Sequence, residues 1–318
     1  MFYTSMLRQV TLLDHKNINS SFYKLIEKMD KKSLIAVISD ECLKHRNPNE
    51  PASRLMLIYE ERGKFNHMNP YEYEEDVLSL VHPKEYINKI KNKTTSSTPD
   101  TPIGTYTYHS ALYAARGAIT AAEILDEYRH AFALIRPPGH HASFSGSVIY
   151  GIPWGFCYFN NMAIATMYLL KNKKADKITI LDMDFHYGEG TQSIFKENEN
   201  VTCFSIHANT NFPPVAKIKA KNLSSFTLQE IERNEYIKTL KNILDEIKEF
   251  KPDRIGISIG LDTHKEDIFA RSLGEGLETE DYIKIFEMIN ELNIPSYWVL
   301  EGGYNQNVIK EVFLKILK

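Results

Sequence analysis

Five short apolar runs in this chain each lead into a residue that can bind a metal or move a proton. HAFALI (130–135) leads into His140 and His141, ITIL (178–181) into Asp182, Asp184 and His186, TCFSI (202–206) into His207, RIGISIG (254–260) into Asp262, and YWVL (297–300) into Tyr304. The runs are rich in β-branched and aromatic residues, as strands buried on both faces are. Segments with apolar residues at helical spacing lie between them. Alternating strands and helices predict an α/β fold, with one mostly parallel sheet covered by helices on both faces. In an open sheet of this kind, ligands bind outside the carboxyl ends of the strands. All five polar clusters are then expected on one rim, where they can converge.

Along the chain, residues 1–32 read as an extension packing on the domain, with a short amphipathic helix that turns Phe22, Leu25, Ile26 and Met29 to one side. Residues 33–318 read as one catalytic domain without repeat or linker. The first buried strand is 34–38, and helices are expected over 53–68, 72–92, 110–125, 162–173, 191–198, 227–250 and 279–292, the last capped by Thr279. A final helix closes the chain. His45 and Arg54, in or near a Pro/Asn-rich loop, read as surface or salt-bridging residues. Asp100, between Pro99 and Pro102, reads either as a carboxylate offered to a substrate or as the cap of the helix starting near Tyr108. Phe144, Tyr150 and Trp154 are more aromatics than a solvated loop needs, and they either pack together or narrow an entrance.

Composition removes several classes of function. With 38 Lys+Arg against 41 Asp+Glu the net charge is −3, which argues against general nucleic-acid binding. No apolar run approaches the roughly 20 residues that span a bilayer. The three cysteines (Cys42, Cys157, Cys203) form no CxxC pair, so a reducing compartment is expected. The N-terminus has no apolar core of signal-peptide length, and the expected location is the cytoplasm.

The chemistry centres on ITILDMDFHYGEG (178–190). Residues two apart in an extended backbone point the same way, so Asp184 and His186 present an oxygen and a nitrogen to one point, with Asp182 behind them. Taken alone, the stretch also reads as two aspartates capping the next helix. The rim pattern favours a metal. Asp184, His186 and Asp262 make three protein ligands and leave a position open, as catalytic zinc requires. Zinc lowers the pKa of a water and polarises a carbonyl. A nearby histidine would serve as general base and then acid, and the Tyr304 hydroxyl, after Gly302 and Gly303, as donor to a developing oxyanion. These parts describe hydrolysis of an amide. The chain has no nucleophilic Ser or Cys motif and no phosphate-binding glycine loop.

RPPGHHA, GFCYFNN, ILDMDFHYGEGTQ, SIH, GLDTHKED and EGGY, in this order, resemble the histone deacetylase / acetylpolyamine amidohydrolase family, zinc-dependent deacetylases with an arginase-like α/β fold. The resemblance covers about 33–318. It implies zinc on Asp184, His186 and Asp262, and His141 as general base and acid. It implies His140 as the electrostatic partner, backed by Asp182, and Tyr304 polarising the acyl carbonyl. Gly155, Phe156 and Phe212 would line an acyl-lysine tunnel, with Asp100 at its rim. A monovalent-cation site, potassium in kind, would involve Asp182, Asp184, His186 and Ser205. The implied substrate is a small acetylated amine or an acylated lysine peptide, and a homo-oligomer is open.

The sequence departs from the family pattern in places. The loop between His141 and Gly155 is longer than usual, and Glu189 stands where Asp or Asn is commoner. Residues 215–227 replace a Gly-rich segment. Phe269 replaces a Leu or Met of the tunnel wall, and it is not the glutamate by which one polyamine-selective branch reads a cation. A non-catalytic acyl-lysine binder and an arginase-like binuclear manganese hydrolase are the alternatives.

Overall fold

The computed structural model describes residues 32–273 and 276–318; the extension expected over 1–32 lies outside them except for its last residue. Among the described residues eight strands form one sheet: β1 (Lys32–Val37), β2 (His67–Met68), β3 (Tyr128–Ala133), β4 (Ile178–Asp182), β5 (Val201–Ala208), β6 (Leu223–Leu228), β7 (Arg254–Ile259) and β8 (Ser296–Leu300). Their order is β2-β1-β3-β8-β7-β4-β5-β6, and every pairing is parallel. Among the same residues nine α-helices accompany them: α1 (Ser53–Glu60), α2 (Lys84–Lys91), α3 (Thr107–Glu123), α4 (Asn161–Lys171), α5 (Glu189–Phe195), α6 (Arg233–Phe250), α7 (Ile268–Leu273), α8 (Thr279–Glu291) and α9 (Gln306–Ile316). None is long and apolar enough to cross a membrane.

Side chains alternate across the sheet and build two cores. In β8, Trp298 and Leu300 enter one core while Tyr297 and Val299 enter the other. Phe132 of β3 stacks on Trp298, with ring centroids 5.0 Å apart. The first core takes Ile243, Leu244 and Ile247 of α6 and Ile309, Val312 and Phe313 of α9. The second takes α3, whose Ala114, Ala115, Ala118 and Ala121 permit close approach to the strands. Cys42, Cys157 and Cys203 are buried and free of disulfides.

Several expected boundaries move. The helix read over 53–68 stops at Glu60, and its mostly polar tail instead supplies a short 3₁₀ turn at Arg62–Lys64 and the edge strand β2. The one read over 72–92 is a 3₁₀ segment (Glu75–Leu80) followed by α2, divided at Pro83, which has no N–H to continue a helix. The one read over 227–250 begins only at Arg233, because residues 223–228 add β6 to the open edge of β5. The N-cap of α8 is Glu278, in a reciprocal capping box with Asp281, rather than Thr279.

Asn222 secures that added edge. Its side-chain Nδ2 donates to the carbonyls of Phe195 (2.8 Å), Asn198 (3.0 Å) and Val201 (2.8 Å), tying the start of β6 to the α5–β5 turn. Asn222→Ala leaves those acceptors without this donor. The expected cost is about 1–3 kcal/mol of unfolding free energy, read by urea denaturation.

Candidate active site

Four neighbouring strands, β3, β8, β7 and β4, deliver their carboxyl ends to one cavity of about 150 Å³. The lining includes Asp100, His140, His141, Gly155, Phe156, Asp184, His186, Phe212, Phe269, Gly302 and Tyr304. The fifth expected cluster does not converge. His207 lies in β5, one strand further out, where its imidazole is engaged by Ser205 Oγ (2.9 Å) and Thr227 Oγ1 (3.0 Å).

At the floor, Asp184, His186 and Asp262 bring one ligand atom each within 4.8 Å of one another. His186 Nδ1 is 3.4 Å from Asp184 Oδ1 and 3.5 Å from Asp262 Oδ2. The remaining oxygens are aimed by backbone donors: Gly302 N–H to Asp184 Oδ2 (2.7 Å) and Phe185 N–H to Asp262 Oδ1 (3.2 Å). Asp262 Oδ2 is buried with no hydrogen-bond partner. A buried carboxylate oxygen left this way is costly unless a cation completes it. A Cβ on Gly302 would sit 2.2 Å from that same oxygen, and one on Gly260 2.4 Å from Asp184 Oδ2, so only bare backbone leaves the floor clear. One nitrogen and two carboxylate oxygens in a three-residue set suit zinc. Burial and the neighbouring Asp184 charge push the Asp262 carboxyl up to about 7. Burial works against charge on His186 too, but the two carboxylates outweigh it and raise the imidazole to about 9.

The paired histidines sit in different surroundings. His140 Nδ1 is 3.0 Å from Asp182 Oδ2, and its Nε2 is 3.6 Å from Asp184 Oδ1. Burial opposes its charge, but these two aspartates raise its pKa well above the ordinary value. His141 Nδ1 is 2.7 Å from Glu189 Oε2. Burial, then the charges of His140 and His186, hold His141 well below the ordinary value, while burial pushes the Glu189 carboxyl up. The pair is therefore held toward neutrality. Glu301 fastens the backbone beneath both histidines, accepting from Gly139 N–H (2.7 Å) and His140 N–H (3.2 Å).

The wall is aromatic. Gly155 and Phe156 are the centre of a turn closed by Cys157 N–H to Trp154 C=O (2.9 Å), and both have positive φ, 56° and 66°. A Cβ on Gly155 would meet His141 Cδ2 at 2.6 Å, so the glycine lets this wall approach the imidazole. The Phe156 N–H is held by Thr101 Oγ1 (2.8 Å). Phe212 and Phe269 stand edge-on to His186, with centroids 5.8 and 4.8 Å away. Asp100 does not cap α3; it lines the cavity and takes a hydrogen bond from Thr101 Oγ1 (3.1 Å) and another from Thr98 Oγ1.

Tyr304 is set by residues that sequence reasoning passed over. Its N–H donates to Asp267 Oδ2 (2.6 Å), and its ring lies between Phe156 and Phe269 at 5.6 and 5.2 Å. The Arg54 guanidinium stands 4.8 Å from the ring centroid and donates from Nε to Gly303 C=O (2.6 Å). Arg54 is thus a buried residue, not a surface one, and Glu50 neutralises both it and Arg136, each at 2.7 Å. His45 is buried as well, against Thr107 Oγ1 (3.1 Å). The i, i+4 spacing of Glu50 and Arg54 was the available signal. Burial pushes the Tyr304 hydroxyl well above its ordinary pKa, so it stays protonated and can donate.

Residues 46–318 match the histone deacetylase domain. The chain belongs to the histone deacetylase domain family. It is 34% identical over 217 residues to acetylpolyamine amidohydrolase 1 of Pseudomonas aeruginosa, covering 64% of this chain and 60% of that protein. A probable deacetylase of Archaeoglobus fulgidus is 35% identical over 258 residues, covering 73% of this chain and 69% of that protein. Among solved structures, the HD domain of HDA15 superposes with a TM-score of 0.79 at 25% identity, covering 90% of each chain. The single parallel sheet of this deacetylase-family chain is thus the arginase/deacetylase architecture expected from its sequence.

Proposed function

We propose that this protein is a zinc-dependent amidohydrolase that removes an acetyl or other short acyl group from an amine nitrogen. One observation carries the reading: a three-ligand cluster with an orphaned carboxylate oxygen forms the floor of a cavity whose walls hold His141 and Tyr304. Asp184, His186 and Asp262 would hold the zinc, which when bound polarises the amide carbonyl and makes a water acidic. The protein's own groups perform the remaining steps. With Nδ1 engaged by Glu189, His141 uses Nε2 to take a proton from the attacking water as the new C–O bond forms. The same nitrogen returns that proton to the leaving amine as the C–N bond breaks. His140, charged and fixed on Asp182, supplies positive field beside the reacting centre. Tyr304 donates its hydroxyl hydrogen to the carbonyl oxygen as negative charge grows there. Gly155, Phe156 and Phe212 enclose the acyl-bearing chain, and Asp100 accepts from the substrate at the mouth.

A potassium ion on Asp182, Asp184, His186 and Ser205 belongs to the same proposal, supported by Asp182 and Ser205 being register partners across β4 and β5. A binuclear manganese centre is disfavoured, because among the described residues only one group of three metal-binding side chains comes together. A panel assay of the zinc-loaded protein against acetylputrescine, acetylspermidine and acetyl-lysine peptides decides between hydrolase and binder. Release of acetate from at least one of them is expected. Substrate binding without release from any would leave the non-catalytic binder.

A further inference from the structure

Among the described residues, four of the eight exposed large apolar side chains lie in the single loop between His141 and Trp154: Phe144, Val148, Ile149 and Tyr150. A fifth, Ile268, is 60% exposed and directly precedes Phe269 of the cavity wall. Four exposed apolar groups gathered in one loop mark a contact site, whereas scattered ones need no explanation.

The loop is built to present them. His82, itself buried, anchors its base: Nε2 accepts from Asn160 N–H (2.9 Å), so Nδ1 carries the proton it donates to Phe144 C=O (2.9 Å). Further along, Ser147 N–H donates to Ile152 C=O (2.8 Å), Gly151 N–H to Ser147 C=O (3.0 Å) and Tyr150 N–H to Ser147 Oγ (2.9 Å). Gly146, at φ 88°, lets two backbone segments close on each other, since a Cβ there would lie 2.4 Å from the Ile152 carbonyl. At the far end Pro153 C=O accepts from Thr98 N–H (3.1 Å), two residues from Asp100. A loop pinned at base, middle and end holds its apolar tips in place at little entropic cost to a partner.

The patch is continuous with the cavity. Tyr150, 61% exposed, meets Trp154 edge-on at 6.0 Å, and buried Trp154 meets Phe212 of the wall at 5.1 Å. Of the loop aromatics, Trp154 is the one in ring contact with Phe212, and neither Phe144 nor Tyr150 is among the lining residues. One ring, that of Trp154, thus separates exposed Tyr150 from the cavity wall. An extended chain covers about 3.3–3.6 Å per residue. A residue or two beyond an acyl-lysine seated in the cavity is thus enough to span the Trp154 ring that joins wall and loop.

Resting on the deacetylase reading above, we infer that the 143–154 loop is an apolar docking surface for bulky hydrophobic residues flanking the acyl-lysine of a peptide substrate. Charge on the wall agrees. Phe269 is neutral, and Asp100 is the one carboxylate of the lining outside the metal cluster, already held by two threonine hydroxyls. A polycationic acetylated amine would call for more negative charge than that.

The test compares two acetyl-lysine peptides, one flanked by leucines and one by serines, on the zinc-loaded full chain and on an Ile149→Ser/Tyr150→Ser variant. Both side chains are exposed, so the variant keeps the fold. The wild type should favour the leucine-flanked peptide by about tenfold in kcat/KM, with the difference in KM. In the variant that ratio should fall toward one. Equal use of the two peptides by the wild type, or a ratio unchanged in the variant, overturns the inference. So does a wild-type dimer by light scattering that becomes monomeric in the variant, since the patch is then a self-association face. Peptide binding by fluorescence anisotropy is read in parallel. If no acetate is released from any substrate, the hydrolase reading fails, while the leucine-over-serine binding ratio still judges the patch.

Discussion

Asp262→Ala is expected to lose bound zinc and catalysis together. Three side chains form the floor, and removing one leaves a two-ligand site that cannot hold the ion against solvent. Asp262 is also the ligand with least else to do. Its Oδ2 accepts no protein hydrogen bond and faces the His186 imidazole at 3.5 Å, across the space a metal would fill. Zinc added to metal-free wild type should raise its melting temperature, because binding only to the native state stabilises by about 2.7 kcal/mol at a hundredfold excess over Kd. The variant should show no such rise. Zinc content by elemental analysis, melting with and without added zinc, and acetate release on one preparation make the check. A variant that keeps one zinc per chain and near-normal turnover removes Asp262 from the site.

Why the cluster of Asp184, His186 and Asp262 and most of the cavity lining were readable, and some of the supporting residues were not, follows from how each is encoded. Asp184 and His186 are two residues apart at a strand end, and that local geometry is fixed by the chain itself. Asp262 and Tyr304 are distant in sequence, but each follows a strongly apolar run, so a parallel sheet must bring them to the same edge. His207 follows a run of the same kind and still misses the cavity, because strand order decides which ends are neighbours. β5 lies beyond β4, away from β7 and β8, and nothing local to TCFSIH reveals that. Arg54 is salt-bridged to Glu50, one of the two readings its sequence position offered, but its burial was hidden for a related reason. A charged residue in a polar loop is ordinarily solvated, and its burial here depends on Glu50 and on the carbonyls of residues 301 and 303, far along the chain. β6 escaped notice because LSSFTL carries little apolar signal and pairs on one side only, with β5.

Tyr304→Phe best separates a hydrolase from a binder. The substitution removes one oxygen and leaves the ring between Phe156, Phe269 and the Arg54 guanidinium. Those contacts belong to the ring face and edge, so the variant should keep its fold and its zinc. Substrate should also still bind, because the ground-state carbonyl already has the metal as a partner and loses little when a second donor goes. In the tetrahedral transition state the oxygen carries nearly a full negative charge, and a donor aimed at it counts far more. Loss of one such donor costs about 10²–10³ in rate, or about 3–4 kcal/mol. Arg54 adds to this expectation. A buried guanidinium over the ring draws the phenol toward stronger donation, opposing the burial that holds the hydroxyl's pKa up. The expected result is therefore kcat lower by a hundredfold or more, with KM, zinc content and melting temperature near wild type. If Tyr304 were only a packed aromatic whose hydroxyl satisfies a buried acceptor, the pattern would reverse. The variant would then melt lower and turn over at nearly the wild-type kcat, and Tyr304 would leave the mechanism.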